Sequence, residues 1–262
     1  MLFKSTQCLP NPPRLITEER NVIARMTSNQ QGISAAKRAA GHRAAEMVED
    51  GMVVGLGTGS TVFSTIERLQ YRAREGLDIL GIPTSYQTAI RAREYGIPLT
   101  TLDDHPVIDI AIDGADQVDP ALRLIKGRGA AHTREKCVAA AAMSFIVVVD
   151  EAKIVPRLTG QVPVEVLPYA VRPVINQLRA LGSLPFIREG VKKDGPVISD
   201  NGNFILDCNF PEISDPAALE LAISQIPGVL ESGLFTSYCD KTTVIVGGEK
   251  ECRIIRSTDV IP

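Results

Sequence analysis

The sequence predicts an α/β protein with a Rossmann-like parallel sheet domain and a second, smaller ferredoxin-like α+β domain. Three observations carry this. From Ser34 to Asp150, short apolar runs bounded by glycine or proline alternate with stretches of helical spacing, the pattern of buried strands joined by crossover helices. Beyond Gln161 the order becomes strand, helix, strand, strand, helix, strand, that of a ferredoxin-like unit. Finally, Asp113, Asp116, Asp119, Lys126, Arg128 and Glu135 gather around three glycines between Ala111 and Lys136, directly after a buried strand, where α/β sheets bind their ligands.

In chain order, residues 1–31 are polar and proline-bearing and predict a flexible tail, with Met26 a natural start for the compact chain. Ser34–Glu49 places Ala36, Ala40, Ala44, Met47 and Val48 on one helical stripe. Met52–Gly57 predicts a strand, Thr58–Thr61 a tight loop, and Val62, Ile66 and Leu69 the next helix. Strand Leu77–Ile82, helix Ser85–Tyr95, a short strand Pro98–Leu102 and strand Val107–Ile112 follow, then helix Thr133–Met143 and the apolar strand Phe145–Val149. In the second domain the strands are Val162–Leu167, Pro185–Gly190, Phe204–Asn209 and Val229–Leu234, and the helices Tyr169–Leu181 and Asp215–Ser224. Thr242–Val246 and Arg253–Arg256 supply strands that return to the first sheet. The predicted division is a tail 1–31, an α/β domain 32–159 plus 235–262, and a ferredoxin-like domain 160–234.

The chain of 262 residues is 44% hydrophobic and 23% charged, ordinary for a globular protein with a sizeable core. A net charge of -3, with no basic run interleaved with aromatics, argues against a nucleic-acid partner. No apolar run reaches the length of a membrane helix, and the first residues lack the apolar core of a signal peptide, so no membrane partner and a cytoplasmic location are expected. Cys8, Cys137, Cys208, Cys239 and Cys252 are dispersed, with no CxxC pair, and read as reduced thiols. His42, His105 and His132 form no ligand set, and Asp113, Asp116 and Asp119 do not have calcium-loop spacing; no metal is expected.

Each cluster has a functional and a plain explanation. Gly55–Thr61, GLGTGST, fails both the dinucleotide and the Walker patterns, yet its small residues allow close backbone approach and its helix start presents N–H groups to an anion. The plain alternative is a turn capped by Ser60, and the loop alone leaves the two even. Asp113 and Asp116 flank Gly114 and Ala115; a single turn aspartate usually bonds nearby backbone. Two of them opposite Lys126 favour a site that holds sugar hydroxyls and moves protons. The loop Lys126-Gly127-Arg128-Gly129 suits stabilisation of negative charge. Glu135 opens the next helix, where it either complements the helix dipole or acts as a general base. Arg134 and Lys136 read as solvated charges, Cys137 and Met143 as core. Lys153 follows the last parallel strand, and Lys37 on the first helix reads as surface unless that helix crosses the cleft.

Taken together, GLGTGSTV at 55–62, IDGADQVD at 112–119, KGRGAAHTREK at 126–136, VVVDEAKIV at 147–155 and VPVEVLPYA at 162–170 resemble ribose-5-phosphate isomerase A, a resemblance that runs from about Ile33 through the C-terminal region. It implies a cofactor-independent aldose–ketose isomerase of the non-oxidative pentose phosphate pathway that interconverts the sugar phosphates ribose 5-phosphate and ribulose 5-phosphate. The small second domain offers an association surface, and a homo-oligomer, dimer or tetramer, is expected. The implied substrate loops are Thr58-Gly59-Ser60-Thr61, Asp113-Gly114-Ala115-Asp116 and Lys126-Gly127-Arg128-Gly129, with Lys153 and Lys37; the implied catalytic groups are Glu135, Asp113, Asp116 and Lys126. Arg128 and His132 depart from the family pattern, which has glycine and an apolar residue there. The competing expectations are a sugar-phosphate sensor, which would bind without turnover, and an amino-sugar phosphate deaminase or acyl-CoA transferase on a related scaffold.

Overall fold

A computed structural model describes residues 34–248 and 251–259, so the tail 1–31 and Met26 lie outside it. In chain order the first elements are α1 (Ala35–Ala45), β1 (Val53–Leu56), α2 (Ser60–Arg74), β2 (Leu80–Pro83), α3 (Tyr86–Glu94), β3 (Ile108–Asp113), β4 (Gln117–Val118), β5 (Leu124–Ile125), α4 (His132–Ala141) and β6 (Ala142–Asp150). There follow β7 (Gly160–Val166), α5 (Val171–Ala180), β8 (Leu184–Ile187), β9 (Phe204–Phe210), α6 (Pro216–Ser224), β10 (Val229–Ser232), β11 (Leu234–Phe235), β12 (Thr242–Gly247) and β13 (Cys252–Arg256).

The described residues form three sheets. The largest has the order β13-β12-β6-β3-β1-β2. Its strands run parallel except β13, which returns antiparallel along β12. Val54, Leu56, Ile110, Ile112, Ile146 and Val148 are buried with α1 and α2 on one side, while Ala111, Phe145, Val147 and Val149 are buried with Val138 and Ala139 of α4 on the other. Both faces are thus covered, as continuous apolar runs require. The second sheet, β10-β7-β9-β8, is antiparallel and has the ferredoxin-like order, with α5 and α6 contributing to its core.

The third sheet, β11-β5-β4, was not foreseen. Its strands are two residues long, too short to show a period. It turns part of the presumed loop 111–136 into an antiparallel ribbon, Gln117 opposite Ile125 and Val118 opposite Leu124. Asp119 anchors that ribbon: its buried carboxylate accepts from the N–H groups of Ala121 and Arg123 and from Arg123 Nε at 2.7 Å. Asp119→Ala is expected to cost about 2–4 kcal/mol in urea unfolding, since several donors lose their acceptor together. Turnover per folded molecule should stay at the wild-type value.

Four other expectations are corrected. Pro98–Leu102 is no strand; only Leu99 bridges Gly81, and Pro98 has no N–H to extend a ladder. The predicted strand Val229–Leu234 is broken at Gly233 into β10 and β11, which belong to different sheets. The helix ends at Ala141, so Met143 sits on β6 and is 62% exposed, because β12 begins to cover β6 only at Phe145. Cys137 is exposed as well, the buried face of α4 falling to Val138 and Ala139.

Candidate active site

Strands β1, β3 and β6 end at one edge of the parallel sheet, and the segments that follow them enclose an open cleft of about 360 Å³. Lys37, Thr58, Gly59, Ser60, Thr61, Gly114, Ala115, Asp116, Lys126, Gly127, Arg128, Gly129, Glu135 and Lys153 all line it. Asp113 does not; it is buried beside Lys126. Gln87, from the first turn of α3, lines the cleft without having been singled out, and Asp150, at the end of β6, lines it at the start of the loop that carries Lys153. Asp150 carries the positional signal of Asp113, a carboxylate at a strand end. Gln87 has no local signal, because only the packing of α3 beside the 57–61 loop brings it in.

Lys126 is 2% exposed and forms the centre of the charged group. Its Nζ lies 3.0 Å from Asp113 Oδ2 and 3.1 Å from Glu135 Oε2, and donates to the carbonyl of Gly114. The backbone holds it there: Lys126 N–H donates to Gly233 O at 2.8 Å, at the break between β10 and β11. Asp113 Oδ1 accepts from Thr58 N–H at 3.1 Å and Gly114 N–H at 2.7 Å. A Cβ at Gly57 would lie 2.2 Å from the Asp113 carboxyl, so only glycine lets the first loop pass this close.

Burial and the charges the three groups place on one another shift all of them. Glu135 is pushed up to about 8 by loss of solvent and by the neighbouring Asp113 charge, against the pull of Lys126. Asp113 is raised, first by its burial, with Lys126 opposing. Lys126 opposes its own desolvation with two carboxylates and is held above the usual lysine value. One ammonium between two buried carboxylates favours a neutral group with one proton on the acids. Asp113, with two N–H donors as well as Lys126, is the better anion, which leaves the proton on Glu135.

At the other end of the cleft, α2 begins at Ser60 with Gly59 as its cap residue and no side-chain cap bond. Ser60 is therefore not the cap of the plain explanation. Phe63 N–H is the first to reach back, to Gly59 O, so the N–H groups of Ser60, Thr61 and Val62 stand at a bare helix start that suits an anion. The Thr58 hydroxyl turns inward, donating to Ser85 Oγ at 2.8 Å and sharing hydrogen bonds with Thr84 and Thr88. Lys37 crosses over this end and lies 3.7 Å from Asp150 Oδ2; Lys153 sits in the 3-10 turn Glu151–Lys153.

The neighbours of Glu135 face the antiparallel sheet and its connections. Thr133 Oγ1 donates to the buried carboxylate of Glu165, and Arg134 donates to Asn201 Oδ1 and Asp200 O. Lys136, expected in solvent, is buried between Glu220 at 2.6 Å and Glu231 at 2.7 Å. Its partners stand on α6 and β10, which fold back against α4 from far along the chain. His132 is fully buried, lowered to about 4 by burial, with Nε2 3.4 Å from Glu231 O. Arg128 has an exposed side chain, while its N–H donates to Asp116 Oδ2 at 3.0 Å.

A lysine between two carboxylates, beside a bare helix start and two further lysines, defines a site that can bind a small phosphorylated ligand and move its protons. The sequence model of the family Ribose 5-phosphate isomerase A (phosphoriboisomerase A) matches residues 80–251. The chain is 68% identical to the ribose-5-phosphate isomerase A of Methanoregula boonei over 237 residues, 90% of this chain and 100% of that one. It is 56% identical to that of Thermosynechococcus vestitus over 225 residues, 84% of this chain and 95% of that one. The solved ribose 5-phosphate isomerase A of Methanocaldococcus jannaschii superposes with a TM-score of 0.80 at 46% identity, covering 84% of this chain and 98% of its own. A D-ribose-5-phosphate isomerase in complex with phospho-erythronic acid superposes with a TM-score of 0.81 at 47% identity, covering 84% and 97%. The chain belongs to the ribose 5-phosphate isomerase A family.

Proposed function

We propose that Lys126, Asp113, Asp116 and Glu135 carry the proton transfers by which this protein interconverts D-ribose 5-phosphate and D-ribulose 5-phosphate, in the non-oxidative pentose phosphate pathway. The protein is an aldose–ketose isomerase. The observation that supports the assignment is Lys126 held within 3.1 Å of both Asp113 and Glu135 at the cleft.

After the sugar ring opens, the Glu135 carboxylate takes the C2 proton and the C1 carbonyl oxygen gains the negative charge of an enediolate. Lys126 offsets that charge, a hydroxyl proton passes from O2 to O1, and Glu135 returns its proton to C1. Asp116, which lines the cleft, holds a sugar hydroxyl; Asp113 keeps the ammonium of Lys126 in place and takes part in hydroxyl proton movement through it. The N–H groups at the start of α2, the hydroxyls of Ser60 and Thr61, Lys37 and Lys153 hold the phosphate, with Thr58, Gly59, Gly114, Ala115, Gly127, Arg128 and Gly129 completing the substrate surface. Phospho-erythronic acid, bound by a related isomerase, carries a planar carboxylate where the substrate develops its enediolate, which is the charge Lys126 would meet.

The test is a coupled assay of ribulose 5-phosphate formed from ribose 5-phosphate; absence of turnover would overturn the isomerase reading. Two results are expected alongside it. Chelator should leave turnover unchanged, because Lys126 supplies the charge stabilisation. And kcat/KM should rise with pH up to about 8, where Glu135 ionises, while stability moves the other way. With its folded pKa raised, Glu135 binds more protons in the folded than in the unfolded chain, so stability falls as pH climbs from about 4.5 to 8. His132, lowered to about 4 from 6.5, opposes that fall up to about 6.5, so the fall in stability is expected mainly between about 6.5 and 8. Thermal unfolding against pH checks this; a Tm that rises across that upper window contradicts it.

The further division into an α/β domain, 32–159 plus 235–262, and a ferredoxin-like domain, 160–234, belongs to the same proposal, as do a homo-oligomeric state and a cytoplasmic location. Sedimentation of the purified protein tests the oligomer.

A further inference from the structure

Arg188 follows β8 in the antiparallel sheet and does not line the cleft, yet it reaches the loop that carries Lys126. Its Nη1 donates to Gly127 O at 2.9 Å and to Arg128 O at 3.0 Å. Its other nitrogens pair with Asp207 of β9, Nε at 2.8 Å and Nη2 at 2.5 Å, and the Asp207 side chain is almost fully buried. The planar fork of arginine thus ties two carbonyls of one loop to one carboxylate.

Those carbonyls belong to a four-residue turn, Gly127 to Ala130, closed by Ala130 N–H donating to Gly127 O at 3.0 Å. The central peptide of such a turn, here Arg128–Gly129, has two orientations that differ by a flip, and the type II form is cheap when glycine occupies the third position, as Gly129 does. Gly129 does not take the positive φ of that form, although Gly127 has φ +104° and Ala130 φ 58°. Arg188 holds the Arg128 carbonyl on its own side. The peptide is trans, so the Gly129 N–H points the opposite way, and Gly129 lines the cleft. Among the described residues no acceptor meets that N–H. Asp116 fixes the preceding peptide in the same sense by accepting from Arg128 N–H.

We infer that Arg188 is a positioning residue for substrate recognition: it locks the central peptide of the 127–130 turn so that the Gly129 N–H donates to an oxygen of the bound sugar phosphate. In the flipped turn a carbonyl would face the same oxygen, replacing an attraction by a repulsion between two acceptors. The inference rests on the site proposed above.

The experiment measures binding of phospho-erythronic acid by calorimetry, and kcat and KM for ribose 5-phosphate, in wild type, Arg188→Ala and Arg188→Lys. Arg188→Ala is expected to bind phospho-erythronic acid about 10- to 100-fold more weakly, the loss of one aligned donor, with a raised KM and the same pH dependence of kcat. Millimolar guanidinium should restore part of the affinity to Arg188→Ala and none to wild type, an effect that a merely loosened fold would not give. Arg188→Lys, which keeps the charge beside Asp207 but lacks the fork, should fold even if the alanine variant does not and should still bind several-fold more weakly. Wild-type binding accompanied by unchanged affinity in a folded Arg188 variant overturns the inference and leaves the site standing. No binding of phospho-erythronic acid to wild type overturns the site itself.

Discussion

Glu135→Gln is expected to fold, to bind phospho-erythronic acid near the wild-type affinity, and to turn over about 10²–10⁴ times more slowly. The substitution keeps the volume and the hydrogen bonding of the side chain while removing its ability to accept a carbon proton. Glu135 occupies the one direction on the first turn of α4 that faces the cleft, while Thr133, Arg134 and Lys136 are held elsewhere. Its folded pKa near 8 also makes the amide a close stand-in for the form prevailing at neutral pH. Stability should therefore change little at pH 7, and the fall in stability toward pH 8 expected of wild type should be absent from the variant. Steady-state kinetics and thermal unfolding across this range decide the matter. Wild-type turnover in the variant would remove Glu135 from the chemistry.

Lys126→Met has the largest expected effect of all, because it acts on folding and on catalysis together. The fully buried Asp113 and Glu135 lose their cation, and breaking a buried pair by removing one partner costs about 3–5 kcal/mol. Part of that is recovered when both carboxyls take up a proton, so the destabilisation should grow as pH rises. Loss of a preorganised charge at the developing oxyanion adds about 2.7–4 kcal/mol to the barrier, a fall of about 10²–10³ in kcat. Urea unfolding at pH 6 and pH 9 separates the two contributions, with single-turnover rates measured on the folded fraction. A variant whose stability does not depend on pH and whose kcat is within tenfold of wild type would show that Lys126 is only a structural cation.

Much of the site could be read from residue types before any packing was known. Carboxylates at strand ends, a lysine among glycines and a glutamate opening a helix mark one edge of a parallel sheet, since all parallel strands end on the same side. The residues so marked line one cleft, except Asp113, which is buried beside Lys126, and Asp119, which anchors the β4–β5 ribbon. Asp113 lies deeper, beside Lys126, because a strand end gives the edge but not the depth: Gly57 lets the neighbouring loop close over it. Lys136 was misjudged for a related reason, its partners Glu220 and Glu231 lying 84 and 95 residues away.

The sequence by itself determined the alternating architecture, the ferredoxin-like order of the later strands and the chemistry available at the strand ends. All of these follow from local period and residue type, which neighbours in the chain carry between them. Only the tertiary structure decided that 111–136 contains a ribbon, that Gly233 passes the chain from one sheet to another, and that Arg188 and Glu165 reach across to the loop and helix bearing Lys126 and Glu135. The physical reason is common to them. Two-residue strands show no period, and a buried ion pair or a clamped peptide is defined by groups that only folding brings within 3 Å or so of one another.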